Sequence, residues 1–282
     1  MTARGKTVLI TGSTDGVGRR VAERLAQVGT TVLIHGRDHA RAERLLAEIR
    51  NAGGTGAFYP ADLSSLSEVR SLAEALRRDH GRLDILINNA GIGVGRRGSG
   101  RQASQDGHEL RFAVNYLSGF LLTRLLLPLL KATGTARIIN VSSVGQQPID
   151  FADVMLTHGY SGTRAYCQSK LAQIMFTFDL ARELEGSRIT ANWLHPATYM
   201  DTTMVRVDGI AATSTVDEGA DAILHLATSI EMEARTGLYF DGFRPSRANA
   251  QTYEATARGR LRTLSFRLAG LSEPAANTPT GA

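Results

Sequence analysis

The 282-residue chain carries 32 basic and 27 acidic side chains, a net charge of +5, and is 43% hydrophobic: enough for one large α/β domain and too short for two. Its arginines are scattered rather than gathered into the dense basic run of a nucleic-acid binder, so a solvated basic surface accounts for them. A single cysteine, Cys167, excludes an intrachain disulfide and a cysteine-based zinc site, and no metal is expected.

The first six residues lead directly into an apolar run with no signal-peptide core, so a cytoplasmic protein is expected. Thr7 to Ile10 reads as a strand. It ends in Thr11-Gly-Ser-Thr-Asp-Gly-Val-Gly18, and an amphipathic helix through Val21, Leu25 and Val28 follows, stopping at Gly29. In a strand-to-helix turn, Gly12, Gly16 and Gly18 let the backbone approach a pyrophosphate, and the helix N-terminus offers N–H groups and a positive dipole end. Ser13, Thr14, Asp15 and Val17 complete this candidate cradle. The spacing is G-x-x-x-G-x-G, not the commoner G-x-G-x-x-G.

Residues 31–34 form a second strand, ending in His35-Gly-Arg-Asp38. Past this strand an acidic side chain suits an adenosine 2′-hydroxyl and an arginine suits a 2′-phosphate. Arg37 holds the earlier position and Asp38 has an alternative use as the N-cap of a helix over 40–49, so NADP(H) is favoured over NAD(H). Residues 56–59 form a third strand. Asp62 and Leu63 follow it, placed to hold an adenine, although Asp62 is equally suited to capping the helix over 65–80. The fourth strand, 83–87, ends in Asn88-Asn89-Ala90-Gly91, small and amide residues that permit close cofactor approach.

Residues 91–107, rich in glycine, arginine and serine, read as a mobile loop whose Arg96, Arg97 and Arg101 either meet an anionic substrate or are simply solvated. A helix over 108–131 places the polar Asn115 among leucines, where it needs a partner. Arg124 and Pro128 interrupt the leucine run, which argues for a buried helix rather than a membrane span. The fifth strand, 137–143, delivers Ser142 and Ser143, and a long connection of the kind that lines substrate sites leads to Tyr166.

Tyr166 and Lys170 stand four apart on a helix whose buried stripe is Leu171, Ile174, Met175, Phe178 and Leu184. Positions i and i+4 share a face roughly 6 Å apart. An ammonium there favours the phenolate and lowers the tyrosine pKa from about 10, a recipe for a general acid. A strand over 188–194 ends in His195-Pro196-Ala197. A helix over 217–229, a strand over 237–240 and an arginine-rich helix over 249–271 close the pattern. The alternation predicts one doubly wound α/β domain of Rossmann type over 1–271, its seven-stranded sheet mostly or wholly parallel, with a disordered tail over 272–282.

The order and spacing of Thr11-Gly-x-x-x-Gly-x-Gly18, Asn88-Asn-Ala-Gly91, Asn115, Ser143 and Tyr166-x-x-x-Lys170 resemble the short-chain dehydrogenase/reductase family over residues 6 to about 241. The stretch from Tyr160 to Ala172, with residues 149–153, is similar to the retinol-dehydrogenase and WW-domain-oxidoreductase branch, and soluble bacterial members fit best. The resemblance implies an NADP(H)-dependent oxidoreductase that reduces a ketone or aldehyde of a bulky lipophilic molecule (a polyketide, steroid, retinoid or xenobiotic), or oxidises the alcohol. It implies Tyr166 as general acid/base, Ser143 holding the carbonyl oxygen, Lys170 on the nicotinamide ribose, and Asn115 holding a water that links Lys170 to solvent. It also places Asn89, Ala90, Gly91 and Pro196 against the cofactor. Ala197 departs from the family's Pro-Gly by one methyl group.

Two other readings are weaker. A non-catalytic NADP-bound redox sensor has no use for Ser143, Tyr166 and Lys170 together. A sugar-nucleotide epimerase or dehydratase shares Tyr-x-x-x-Lys but has another glycine spacing and a larger C-terminal region. Finally, the 108–131 helix carries more apolar surface than one sheet-facing stripe absorbs, so a homodimer or homotetramer is expected unless the C-terminal helix covers it.

Overall fold

A computed structural model describes residues 3–96 and 98–274. In chain order the first half comprises β1 (Thr7–Ile10), α1 (Gly16–Gln27), β2 (Thr31–Gly36), α2 (His39–Asn51), β3 (Thr55–Pro60), α3 (Leu66–Asp79) and β4 (Ile85–Asn88). Then α4 (Leu110–Phe112) runs through a π turn (Ala113–Leu117) into α5 (Ser118–Ala132), followed by β5 (Ala136–Val141), α6 (Gly162–Glu183) and β6 (Ile189–His195). The last elements are α7 (Thr203–Val207), α8 (Val216–Thr228), β7 (Tyr239–Asp241), β8 (Arg244–Ser246) and α9 (Ala255–Leu268).

The strands form one sheet in the order β3-β2-β1-β4-β5-β6-β7-β8, parallel except for the last pair. Ile10 lies opposite Ile34 on one side and Ile87 on the other, so β1 sits centrally beside the point where strand order reverses. The strands are apolar on both faces because helices cover both. Leu9, Leu33, Leu86 and Ile138 pack toward α3, α5 and α6, whereas Val8, Ile10, Val32 and Ile85 pack toward α1, α2 and α8. Among the described residues, eight strands replace the expected seven. The addition, β8, is the exposed Arg244-Pro245-Ser246, too short and polar to carry a hydrophobic pattern, with a proline that an edge strand tolerates.

The helix expected over 108–131 spans Leu110–Ala132 and is long and apolar enough to cross a membrane, but most of its apolar stretch is buried within the domain. Leu117, Leu121, Leu122, Leu126 and Leu130 are fully buried. Within the chain α9 covers the face where a second subunit was expected. Phe266 packs edge-on against Phe120 at 5.2 Å, and the Tyr116 and Ser265 hydroxyls meet at 2.5 Å. Arg124, the charge within the leucine run, pairs with Glu183 at 2.6 Å and lies over the rings of Phe120, Phe176 and Phe266. Part of the apolar surface behind the oligomer expectation, around Tyr116, Phe120 and Arg124, is thus used internally.

Of the expected tail, residues 275–282 lie outside the described residues, while Glu273 folds back onto Arg262 (2.7 Å) and Thr263 (3.1 Å). The 91–107 stretch is not the free loop its composition suggested. Arg111, only 4% exposed, donates to the carbonyls of Gly93 and Val94, Asn115 holds Ile92, and Arg101 donates to the Met155 carbonyl. Side chains from distant elements supply the partners that a glycine-rich segment cannot supply itself. Arg96 remains exposed, and Arg97 lies outside the described residues.

Candidate active site

The glycine turn joins β1 to α1 at the carboxyl edge of the sheet. Gly12 adopts φ +64, and a Cβ there would lie 2.9 Å from the Ala90 Cα; a Cβ at Gly18 would overlap the Asn89 amide and the Gly12 carbonyl. Asn89 donates its side-chain amide to the carbonyls of Thr11 (2.9 Å) and Gly12 (3.1 Å), and Thr11 Oγ1 accepts from the N–H groups of Asn89 and Ala90, both at 3.0 Å. The turn after β1 and the turn after β4 are therefore stitched into one surface in which the main chain of Gly12 and Gly18 lies bare, the shape a pyrophosphate requires. A dinucleotide fits here.

The other predicted cradle residues divide by use. Ser13 is fully buried, its hydroxyl donating to Ile10 O at 2.8 Å and accepting from His35 N at 2.9 Å, so it builds the turn; Thr14 packs against Gly36. Asp15 N-caps α1 by accepting from Gly16 N at 2.8 Å and pairs with Arg41 at 2.8 Å. Burial opposes its ionisation, but bonds from the Thr203 hydroxyl, Gly16 N–H and Arg41 outweigh this and hold it below the usual carboxylate range. Val17 is buried beneath the turn.

At the end of β2, Arg37 is 72% exposed and stands 3.7 Å from Asp62, a guanidinium available to an anion. Asp38 caps α2 by accepting from Arg41 N at 3.0 Å. Asp62 accepts from Ser64 N at 2.9 Å, leaving the cap of α3 to Ser65, and Leu63 is buried in the core. His35, at the end of β2, is buried. Its Nδ1 accepts from Gly12 N at 3.1 Å, and burial lowers its pKa to about 4, so it holds the turn as neutral imidazole.

Ser143, just past β5, meets Tyr166 and Lys170 of α6. The Ser143 hydroxyl stands near enough to the Tyr166 phenol to favour its ionisation, and it accepts from Gly145 N at 3.0 Å. Lys170 is buried, donates to the Val141 carbonyl at 2.9 Å and lies 5.8 Å from the Tyr166 ring centroid. Main-chain positions are fixed too: Ser169 Oγ donates to Tyr166 O at 2.7 Å and Ser142 Oγ to Lys170 O at 3.1 Å. One expectation is reversed. Burial pushes the Tyr166 phenol up to about 12, with the nearby Ser143 hydroxyl opposing, and burial lowers Lys170 to about 8. Desolvation of the phenol outweighs an ammonium whose hydrogen bond points at a carbonyl.

Asn115 occupies the π turn, a helix irregularity frequent at functional sites. Its Oδ1 accepts from Ile92 N at 2.7 Å and its Nδ2 donates to Ile92 O and Ser169 Oγ, joining the loop after β4 to α6. Gly91 lies between Asn115 and Lys170, and a Cβ there would come within 3.3 and 3.5 Å of them. Pro196 is buried after β6, and Ala197 beside it is half-buried.

A sequence model of the short chain dehydrogenase family matches residues 6–210. This chain belongs to the short-chain dehydrogenase family. Within the family it is 36% identical to human retinol dehydrogenase 13 over 97% of this chain and 87% of that one, and 38% identical to mouse retinol dehydrogenase 14 over 84% and 77%. These place it with the retinol dehydrogenase branch as an NAD(P)-dependent oxidoreductase. A crystal structure of an uncharacterized Mycobacterium paratuberculosis protein superposes with a TM-score of 0.80, at 30% identity over 96% of each chain. The Pseudomonas aeruginosa RhlG/NADP complex superposes at 0.69, also 30% identical, over 85% of this chain and 96% of that one.

Thr11, His35, Arg41, Arg111 and Asp208 belong to the site's framework although none was selected from the sequence. Thr11 opens the glycine motif, and His35 is a polar residue ending an apolar strand, so both carried a signal. Arg41, Arg111 and Asp208 carried none, because their partners lie far along the chain.

Proposed function

We propose that this short-chain dehydrogenase uses NADPH to reduce the ketone or aldehyde of a bulky lipophilic small molecule, or oxidises the corresponding alcohol in reverse. The observation that carries this reading is the meeting of Ser143, Tyr166 and Lys170 beside the glycine-lined cradle. Bound NADPH supplies the hydride. Tyr166, its pKa pushed up to about 12, holds its proton at neutral pH and donates it to the substrate oxygen as negative charge develops there. The Ser143 hydroxyl, beside the phenol, holds that oxygen within reach of the proton. Lys170, buried and partly neutralised as pH rises through about 8, is the cation for the nicotinamide ribose.

Arg37 supports NADPH over NADH, as an exposed guanidinium past β2 where a 2′-phosphate is recognised. RhlG, with a comparable fold, was solved with NADP. A lipophilic substrate is supported by large apolar side chains left in water around the site: Val144 beside Ser143 at 50% exposure, Tyr199 at 48%, and Met204 and Val207 on α7 at 36% and 52%. The retinol named in the relatives is a substrate of that character.

The test is NADPH oxidation with all-trans-retinal, followed by nicotinamide absorbance. Tyr166→Phe should bind NADPH normally and lose turnover by at least about 100-fold, the scale of general acid catalysis. Near-normal turnover by that variant removes Tyr166 from the role.

A further inference from the structure

Residues 201–209 run across the carboxyl edge between two fixed points. At the first, Thr202 lies against Gly16, where an added Cβ would come within 3.3 Å of its methyl group, and the Thr203 hydroxyl is near enough to Asp15 to favour its carboxylate. At the second, the Asp208 carboxylate accepts from Val94 N at 3.0 Å through one oxygen and from Gly95 N at 2.8 Å through the other. One end thus rests on the glycine cradle and the other on the loop after β4.

Between these points α7 buries no residue, so apolar packing does not hold it, and a five-residue helix has no stability of its own. The paired bonds from Asp208 are charge-assisted and bidentate, the stronger kind of tether. Their receiving loop is firm because Arg111 donates to the Gly93 and Val94 carbonyls and to the Tyr160 hydroxyl, and Asn115 holds Ile92. Gly93 makes room: a Cβ there would overlap the Asp208 carboxylate.

We propose that Asp208 is a positioning residue that clasps the 201–209 strap over the dinucleotide cleft and thereby sets how fast the cofactor leaves. This rests on the NADPH reading above. The clasp retains the cofactor through two main-chain N–H groups, and its effect is read in residence, because the Asp208 charge also bears on the chemistry by raising the pKa of the Tyr166 phenol.

Two measurements on Asp208→Asn and Gly93→Ala test it: amide hydrogen exchange in segments 92–96 and 201–209 without cofactor, and the NADPH dissociation rate by stopped-flow fluorescence. An asparagine keeps one acceptor but turns its amide NH2, a donor, toward the second N–H, and the alanine methyl displaces the carboxylate. Both variants should exchange and release NADPH at least about tenfold faster, the loss of roughly one charge-assisted bond, with exchange in α6 unchanged. Unchanged exchange overturns the clasp, as does faster exchange with an unchanged NADPH off-rate. A wild-type chain that binds no NADPH removes the cofactor reading, and the exchange comparison still decides whether Asp208 holds the strap.

Discussion

The two sides of the carboxyl edge are held by different means. On the dinucleotide side, β1, the glycine turn and the Asn88–Gly91 turn are fixed by main-chain geometry and short bonds, Asn89 to Thr11 O and Gly12 O, Ser13 to Ile10 O and His35 N. On the substrate side, long side chains from elsewhere reach exposed backbone: Arg111 to Gly93, Asp208 to Val94 and Gly95, Gln251 to both main-chain groups of Ile149. A pyrophosphate is the same in every complex, so a rigid main-chain cradle serves it. A substrate pocket held by separate side-chain ties can be reshaped one residue at a time without disturbing the sheet.

The largest effect should come from the C-terminal region, which lies beyond the family-matched residues 6–210. Phe266 is 4% exposed, edge-on to Phe120 and beneath the Arg124 guanidinium at 5.1 Å. Phe266→Ala should cost about 3–5 kcal/mol of unfolding free energy in urea, the range for a buried phenylalanine. A loss under about 0.5 kcal/mol, the scale of surface changes, would make α9 an appendage and leave the α5 leucines in need of another cover.

How much could be read in advance follows the same division. The cradle was legible because glycine at a positive φ or at a close backbone approach leaves a residue-type signature at fixed local spacing, as at Gly12 and Gly18. Tyr166 and Lys170 were legible because helix periodicity puts them on one face. The sign of the Tyr166 shift was not, since desolvation depends on everything folded around the phenol. Nor was the order of the 91–107 stretch, because Arg111, Asp208 and Met155 come to it from 4 to over 100 residues away. The role of α9 was seen only as an alternative, since a helix pattern marks an apolar face without naming what it meets.

His35 offers the next test, on the cradle side. Its pKa falls from 6.5 to about 4, chiefly through burial, with Arg37 adding to the shift and the Ala61 carbonyl and Asp62 opposing it. The unfolded chain binds a proton between these values and the folded chain does not. The stability from neutral His35 is therefore fully present above pH 6.5 and lost as pH falls toward 4, amounting to roughly 3 kcal/mol. Urea midpoints of the wild type should fall across that window more steeply than those of His35→Gln, which has nothing to protonate. Parallel curves would show that His35 does not titrate on folding, and that the cradle is fixed by glycine geometry alone.

The smallest expected effect separates the two ways of reading β2's end. Arg37 is mostly exposed with one loose partner, Asp62 at 3.7 Å, so its replacement disturbs little in the fold. If it meets the 2′-phosphate, Arg37→Ala loses a charge-assisted bond worth about 1.5–3 kcal/mol. The NADPH dissociation constant should then rise roughly 10- to 100-fold. NADH affinity should hardly move, because NADH lacks that phosphate. Asp38 is already engaged by Arg41 N and by the Arg41 guanidinium at 3.3 Å, which leaves Arg37 the freer group. Arg41 itself is tied to Asp15 across the turn, so Arg41→Ala should weaken both cofactors together by loosening the cradle. Equal loss of NADPH and NADH on Arg37→Ala would assign the residue to the cradle's structure, and two unchanged dissociation constants would return the ribose contact to Asp38.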